Sequence, residues 1–471
     1  MKVFLRIWTV SLCICALLLL ASCDKPPVET TADPTTAAPT EPPLSPREKY
    51  DLARENLEKA ANWIINYTLE EQRSVGSDTY TKKTAGRASF SKLYQEDMMA
   101  VVEEQLTYGS YITDYTEIYC ESMAFSKVNE SCFKSEMEPK DFVQRQIPAV
   151  LIDSSLYQTI TENAGENSTV ISFDGAASLE EWVGKPGAKL IRATGTATLD
   201  NSGVLQETTC RIIYSVGEVK YTVSAAVRTA APPSLDLSGT HQEHIKASTR
   251  IKSLDVPKML LQVVGDVYAA GKMQCSAVES IYSEAVRLAY SQRSETDVIG
   301  FGGDLYARAE YVVHMSDDRG NISAKKQTDL FENSVFSSVQ DQGKPVNNPE
   351  ITAEQMRRYC EDAILSALAA PKYLKDATLE SNKDSYRIEI SGNYEFVVDM
   401  MKNISSFLQA DLDAKATKKK TVSAGGYLVI DRETGLPTAI GLHMERQHTI
   451  DTVTYQLNYR LDQTMKLSDY E

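Results

Sequence analysis

A chain of 471 residues, 42% hydrophobic and 24% charged, exceeds one ordinary core and suits two soluble domains. Its formal net charge of −16 excludes the basic footprint that nucleic-acid phosphates require and argues against lying flat on an anionic membrane. Net charge of this size keeps an exported protein soluble and calls for no acid-specific function.

The chain opens with two basic residues, Lys2 and Arg6, followed by an apolar run from Ile7 to Leu20. At about 14 residues the run is shorter than the roughly 20 that span a bilayer, so it reads as a signal sequence. It closes on Leu20-Ala21-Ser22-Cys23. That order resembles the lipobox of bacterial lipoproteins, which implies cleavage before Cys23, diacylglycerol on its thiol and acyl chains such as palmitate. The implied location is the extracytoplasmic face of the cell membrane, with the membrane itself as partner through Cys23. Asp24 directly after that cysteine resembles the inner-membrane retention signal of two-membrane bacteria.

Residues 24–44 form a Pro/Thr/Ala/Glu tract with no periodic apolar face and cannot bury enough surface to fold. Proline stiffens such a stalk to a reach of about 65 Å at about 3.1 Å per residue. Ser45-Pro46-Arg47-Glu48 is a capping box with proline at the first helical position. Leu52, Leu57, Ala60, Ala61, Ile64 and Ile65 then recur at helical spacing.

Three landmarks occur twice, in the same order. The first is a capped amphipathic helix, at Glu138-Pro139-Lys140-Asp141-Phe142 and at Thr352-Ala353-Glu354-Gln355-Met356. The second is a β-rich run ending in glycine before a helix. Val170 to Gly175 leads to Leu179-Glu180-Glu181-Trp182, and Arg387 to Gly392 leads to Phe396-Val397-Val398-Asp399. The third is a hairpin with a polar, glycine-closed turn, from Thr198 to Leu205 and from Val429 to Leu436. Alternating strands close each half, at Arg211 to Tyr214 and Tyr221 to Ala225, then at Tyr455 to Leu461. Such alternation fits antiparallel sheets with one covered face. A helix after Asp255-Val256-Pro257 runs through Leu260, Leu261, Val264 and Val267 toward Leu288. Between the halves, Ala230-Ala231-Pro232-Pro233 to about Arg250 is polar and proline-punctuated.

The expected fold class is α+β: two repeated domains, each a curved antiparallel sheet wrapped around or covered by helices. The expected organisation is a signal peptide (1–22), acylated Cys23 and stalk (23–45), a first repeat (46–230), a linker (231–254) and a second repeat (255–471). This order, with the Asp-x-x-x-Gly-Leu-Pro hairpin at Asp431 to Pro437, resembles the lipoprotein-carrier (LolA/LppX-like) half-barrel superfamily. It is also similar to Gram-positive lipoproteins of unknown function that share that fold. The resemblance implies a curved sheet around helices that can leave an apolar groove for acyl chains.

Motifs of chemistry are sparse. His241-Gln242-Glu243-His244 needs a helix to bring both imidazoles to one metal and lies in the expected linker. His443 and His448, an odd number apart on an expected strand, face opposite sides, and His314 stands alone. Ser89-Phe90-Ser91-Lys92 matches the SxxK of penicillin-binding proteins, but a Ser-Lys pair needs a helical turn and this stretch is β-like. Gly300-Phe301-Gly302-Gly303 lacks dinucleotide spacing, and the acidic turns at Asp200 and Asp317 lack the spaced oxygens of a calcium loop. Past Cys23 the cysteines are Cys120, Cys132, Cys210, Cys275 and Cys360. Cys120 and Cys132 either pair across a hairpin or are buried thiols. Tyr108, Tyr111, Tyr115 and Tyr119 cluster as either a binding surface or half-buried sheet facing.

No catalytic residue, metal ligand or cofactor emerges. The expected function is non-enzymatic binding of an apolar or lipid ligand or of an envelope protein, at a site the sequence does not locate. The alternative is a structural or assembly factor of the envelope with filled cores; a third is a wall-polymer hydrolase using paired carboxylates.

Overall fold

The computed structural model describes residues 43–468, apart from residues 61, 77, 110 and 342 and the segments 147–153, 176–186, 231–234, 270–271, 284–287, 300–304, 317–320, 349–370, 392–417, 433–434 and 451–452. Residues Leu44–Glu471 form one compact unit.

Helix α1 (Pro46–Lys59) starts as its sequence dictates. The Ser45 hydroxyl accepts from Glu48 N, the Glu48 carboxylate accepts from Ser45 N at 2.8 Å, and Pro46 fills the first position, where no N–H is missed. The helix ends at Lys59, so Ile64 and Ile65 belong to strand β1 (Asn62–Val75). There Trp63, Ile65 and Tyr67 alternate inward, the period of a strand with β-branched and aromatic residues.

Five strands follow as an antiparallel meander: β2 (Asp78–Ser91), β3 (Met99–Tyr108), β4 (Tyr111–Cys120), β5 (Met123–Val128) and β6 (Ser131–Glu136). After helix α2 (Pro139–Gln146) come β7 (Thr159–Ala164), β8 (Ser168–Asp174), β9 (Lys189–Asp200), β10 (Leu205–Val216) and β11 (Val219–Ala230). Strand β11 returns to pair with β1, from Ile64 opposite Ala230 to Val75 opposite Val219. Helix α3 (Thr240–Ala247) and the short β12 (Thr249–Arg250), parallel to β6, occupy the stretch expected as linker.

Helix α4 (Asp255–Ala269) precedes the second sheet: β13 (Lys272–Ser283), β14 (Leu288–Ile299), β15 (Tyr306–Ser316), β16 (Ile322–Glu332), β17 (Val335–Gln340), β18 (Val346–Asn348), β19 (Thr378–Ser381), β20 (Ser385–Ser391), β21 (Lys418–Asp431), β22 (Pro437–Ile450) and β23 (Val453–Ser468). The first sheet runs β12-β6-β5-β4-β3-β2-β1-β11-β10-β9-β8-β7 and the second β18-β17-β16-β15-β14-β13-β23-β22-β21-β20-β19. Strand for strand the two orders coincide, with β12 the one addition.

The α+β expectation is overturned: the protein is mostly β, built on sheets of 12 and 11 strands. Alternation persists over strands of up to 16 residues, longer than the sequence reading allowed, and the described helices are too few to cover the sheets. Helix α4 stops at Ala269, so Leu288 lies on β14. The first amphipathic helix is present as α2; the helices expected at 179–182, 352–356 and 396–399 lie outside the described residues. Both hairpins form, with Gly203 at φ +79° and Gly435 at φ +72° supplying the left-handed residue each turn needs.

One tyrosine device recurs across three neighbouring strands. Tyr67 on β1 lies over Gly86 on β2 and donates to Glu104 Oε1 on β3 at 2.6 Å. Tyr427 on β21 lies over Gly441 on β22 and donates to Asp462 Oδ1 on β23 at 3.1 Å. A Cβ on either glycine would sit inside the ring, which is why glycine stands there.

Candidate functional site: a filled interior and an outer groove

The resemblance places a ligand between sheet and helix, so the interior of the first sheet comes first. Helix α4 opens the second half in sequence but packs on β2, β3, β4 and β5 of the first sheet, as well as on β19. Its apolar face, Val256, Leu260, Leu261, Val263, Val264 and Val267, joins one core that draws on both sheets. The fit is close: a Cβ on Gly265 would stand 2.4 Å from the Tyr108 ring. The tyrosine cluster lines this core: Tyr108, Tyr115 and Tyr119 are buried, and Tyr111 stacks on Tyr268 of α4 at 4.8 Å. These tyrosines are sheet facing under a helix.

Three ionic contacts fix the helix along its length. Asp255 Oδ1 lies 3.1 Å from Arg145 Nη2 of α2, Lys258 Nζ lies 3.8 Å from Glu104 Oε2, and Asp266 Oδ1 accepts from Arg73 Nη2 at 3.1 Å. Burial holds the Asp266 carboxyl at about 6, above its ordinary value, against the lowering pull of Arg73 and Lys82. Beside α4, the fully buried Glu117 accepts from Tyr115 Oη, Gln146 Nε2 and, at 3.1 Å, Arg145 Nη2. Burial, then the neighbouring Glu117 charge, pushes the Tyr115 hydroxyl well above its usual range. The Glu117 carboxylate is satisfied by these three donors, as a buried charge must be. It holds structure and presents no open reacting centre.

The other sequence candidates do not converge. Helix α3 does form at His241 and His244, but His244 points inward, edge-on to Phe125 with ring centroids 6.5 Å apart. His241 Nε2 instead stands 4.0 Å from Glu103 Oε1. Burial, with Lys127 and His241 adding to it, lowers His244 to about 4 and keeps it neutral. His314 and His443 are exposed on separate strands. Among the described residues no cluster of His, Cys, Asp and Glu could hold a metal. Ser89 and Ser91 lie on β2, where no helical turn brings Lys92 to Ser89. Asp200 is turn chemistry: its Oδ1 accepts from Ser202 N at 2.8 Å and Val204 N at 3.0 Å.

Cys120 and Cys132 are free thiols on β4 and β6, with β5 between them. Two strand spacings, about 9.6 Å, exceed the reach of a disulfide. Cys210 is a free thiol as well. Cys23 with the signal and stalk, Cys360, Trp182, the Gly300 bend and residues 317–320 lie outside the described residues. Among the described residues no helix is long and apolar enough to cross a membrane.

The site that sequence reasoning missed is on the opposite, outer face of the first sheet. A groove of about 630 Å³ crosses β3, β2, β1, β11, β10 and β9. Its floor is one cross-strand row, Gln105–Ala85–Thr68–Ala226–Thr209–Thr196. The next row, Lys83–Glu70–Ser224–Arg211–Thr194, makes one wall. Small side chains leave the depression, and their hydroxyls line it; Thr196 and Thr209 share a 2.7 Å hydrogen bond across β9 and β10. Lys83 and Glu70 neutralise each other at 3.2 Å, whereas exposed Arg211 makes no ion pair among the described residues. The signal was present as Thr194, Thr196 and Thr198 at period two, but alternation reads equally as a plain solvent face.

No family model matches the chain, and no curated protein matches it. Among solved structures it is similar to LprF from Mycobacterium bovis, with 11% identity and a TM-score of 0.27 over 46% of this chain and 95% of that one. It is also similar to a putative AttH from Nitrosomonas europaea, with 6% identity and a TM-score of 0.14 over 88% and 95% of the two chains. A BenF-like porin from Pseudomonas fluorescens Pf-5 aligns at 7% identity and a TM-score of 0.10, over 87% and 99%. At these scores the likenesses assign neither a family nor an activity.

Proposed function

We propose that this protein is a lipid-anchored, extracytoplasmic binding module, non-enzymatic, that holds an envelope component on the outer face of its first sheet. One observation carries the reading: the space under that sheet is occupied by α4, with Tyr108 seated on Gly265, while the outer face keeps an open groove. A carrier of an apolar ligand beneath the sheet would have to displace α4 and its buried contacts, among them Arg73 to Asp266. The anchor at Cys23 and the stalk fit a device that presents a surface at a distance from the membrane.

The test is to purify the full chain from membranes after in-cell cross-linking. A cross-linked envelope component, together with a native mass free of lipid beyond the anchor, is the expected result. Co-purifying extractable lipid with no cross-linked partner would overturn the reading. Replacing Cys23 with Ser should move the protein to the soluble fraction, and retention in the membrane would remove the anchor from the proposal.

A further inference from the structure

The outer groove has a spacing, a chemistry and a charge that together select a ligand class. Its floor crosses six strands at about 4.8 Å per step, a length of about 24 Å. That step is close to the advance of one pyranose ring in an extended glycan. A chain lying across the strands would therefore meet the same strand-to-strand environment at each ring. An extended peptide, which advances about 3.3 Å per residue, would fall out of step.

The floor carries three threonines, Thr68, Thr209 and Thr196, and two alanines, Ala85 and Ala226. Hydroxyls both donate and accept, as sugar hydroxyls do, and the alanines leave room for ring faces. The groove lining carries no aromatic side chain, and Leu69 is its one large branched apolar side chain.

The walls supply the charge. Arg211 lines the groove on one side, and Arg87, outside the lining, stands one row beyond Ala85 on the other; both are exposed. Neither makes an ion pair among the described residues, whereas the neighbouring Lys83–Glu70 and Arg228–Glu207 pairs are closed, at 3.2 Å and 3.3 Å. A guanidinium left open beside a hydroxyl floor matches a carboxylate in two-pronged geometry.

We infer that the groove binds an extended, carboxylate-bearing glycan lying across the strands, one ring per strand. The inference rests on the proposed outer-face binding function and specifies its ligand. The test uses the full chain in detergent, titrated calorimetrically with oligogalacturonate and with the same oligomer methyl-esterified. Oligogalacturonate should bind, and the neutral ester should bind at least about tenfold more weakly, the loss of a charge-assisted contact. Arg211→Gln and Arg87→Gln should each weaken the acid form by about tenfold and leave the ester unchanged. Ala226→Trp, which fills the floor, should abolish binding with the unfolding midpoint preserved.

Equal binding of acid and ester, full binding by Ala226→Trp, or no binding of oligogalacturonate overturns the inference. If the cross-linked envelope component is a protein whose capture Ala226→Trp leaves intact, the glycan assignment falls and the binding function stands. Failure of both capture and titration removes both.

Discussion

Arg73 on β1 and Asp266 on α4 form an ion pair at 3.1 Å although their side chains are each only 6% exposed. A Cβ on Gly435, in the hairpin between β21 and β22, would stand 2.9 Å from Arg73 Nη1, so the first sheet, the helix and the second sheet meet at one guanidinium. Removing one partner of a buried pair leaves the other uncompensated. Arg73→Met should therefore cost about 3–5 kcal/mol at pH 7 in urea unfolding. At pH 5 the loss should be smaller, because Asp266 can take up a proton once its cation is gone. An equal loss at both pH values would show that Arg73 acts by packing alone.

Two buried groups should make stability at mildly acid pH flatter than either alone would. Asp266 has a folded value of about 6, raised by burial from 3.8, so its contribution is fully present below pH 3.8 and is lost as pH rises through 6. His244 has a folded value of about 4, lowered by burial from 6.5, so its contribution is fully present above pH 6.5 and is lost as pH falls through 4. Each is worth on the order of 3 kcal/mol across its window, with opposite sign. His244→Leu should unmask a stability that falls as pH rises from 4 to 6. Asp266→Asn should unmask one that falls as pH drops from 6.5 to 4. Urea midpoints across that range check both slopes, and parallel profiles for wild type and variants would contradict the pairing.

The seat of α4 is sensitive to a single methyl. Gly265→Ala places a carbon 2.4 Å from the Tyr108 ring and should destabilise by about 1–3 kcal/mol. Tyr108→Leu alone should cost several kcal/mol through the cavity it leaves. The double variant should be more stable than the sum of the two losses implies, because the smaller side chain makes room for the methyl. Strict additivity would mean that the two residues do not press on each other.

The tyrosine-over-glycine device can be dissected in the same way. Tyr67→Phe should cost about 1 kcal/mol, the net worth of the bond to Glu104. Gly86→Val should cost more, since it expels the ring as well as the bond. Unfolding midpoints that rank the two variants in the opposite order would assign the stabilisation to the hydroxyl rather than the ring.

Local chemistry was legible and long-range placement was not. Ser45 to Glu48 gave the start of α1 to the residue, and the Asp200 and Asp431 turns gave two hairpins, because each is decided by neighbours within a few positions. The fold class was misread because the apolar spacing after Leu57 carried the helix into Ile64 and Ile65, which belong to a strand. The amphipathic pattern of α4 was plain in Leu260, Leu261, Val264 and Val267, but periodicity states that a face is apolar and never which sheet it will cover. His241 and His244 were set aside as linker residues, and the helix that carries them covers a small apolar patch of Val101, Ile118 and Phe125. The outer groove was hidden for a different reason. Its floor is assembled from six strands as distant in sequence as Thr68 and Ala226, and only their register places them in one row.

The position of α4 also sets an order of events at synthesis. The two halves of the first sheet join when β11 pairs with β1, by residue 230, yet the face bearing Leu106, Tyr108 and Tyr115 stays wet until residues 255–269 have emerged. A chain made from its N-terminus therefore passes through a stage in which one half is paired but uncovered, the kind of species that aggregates. The first half is a folding template that waits for the opening helix of the second, and cutting the chain after residue 254 would leave it waiting.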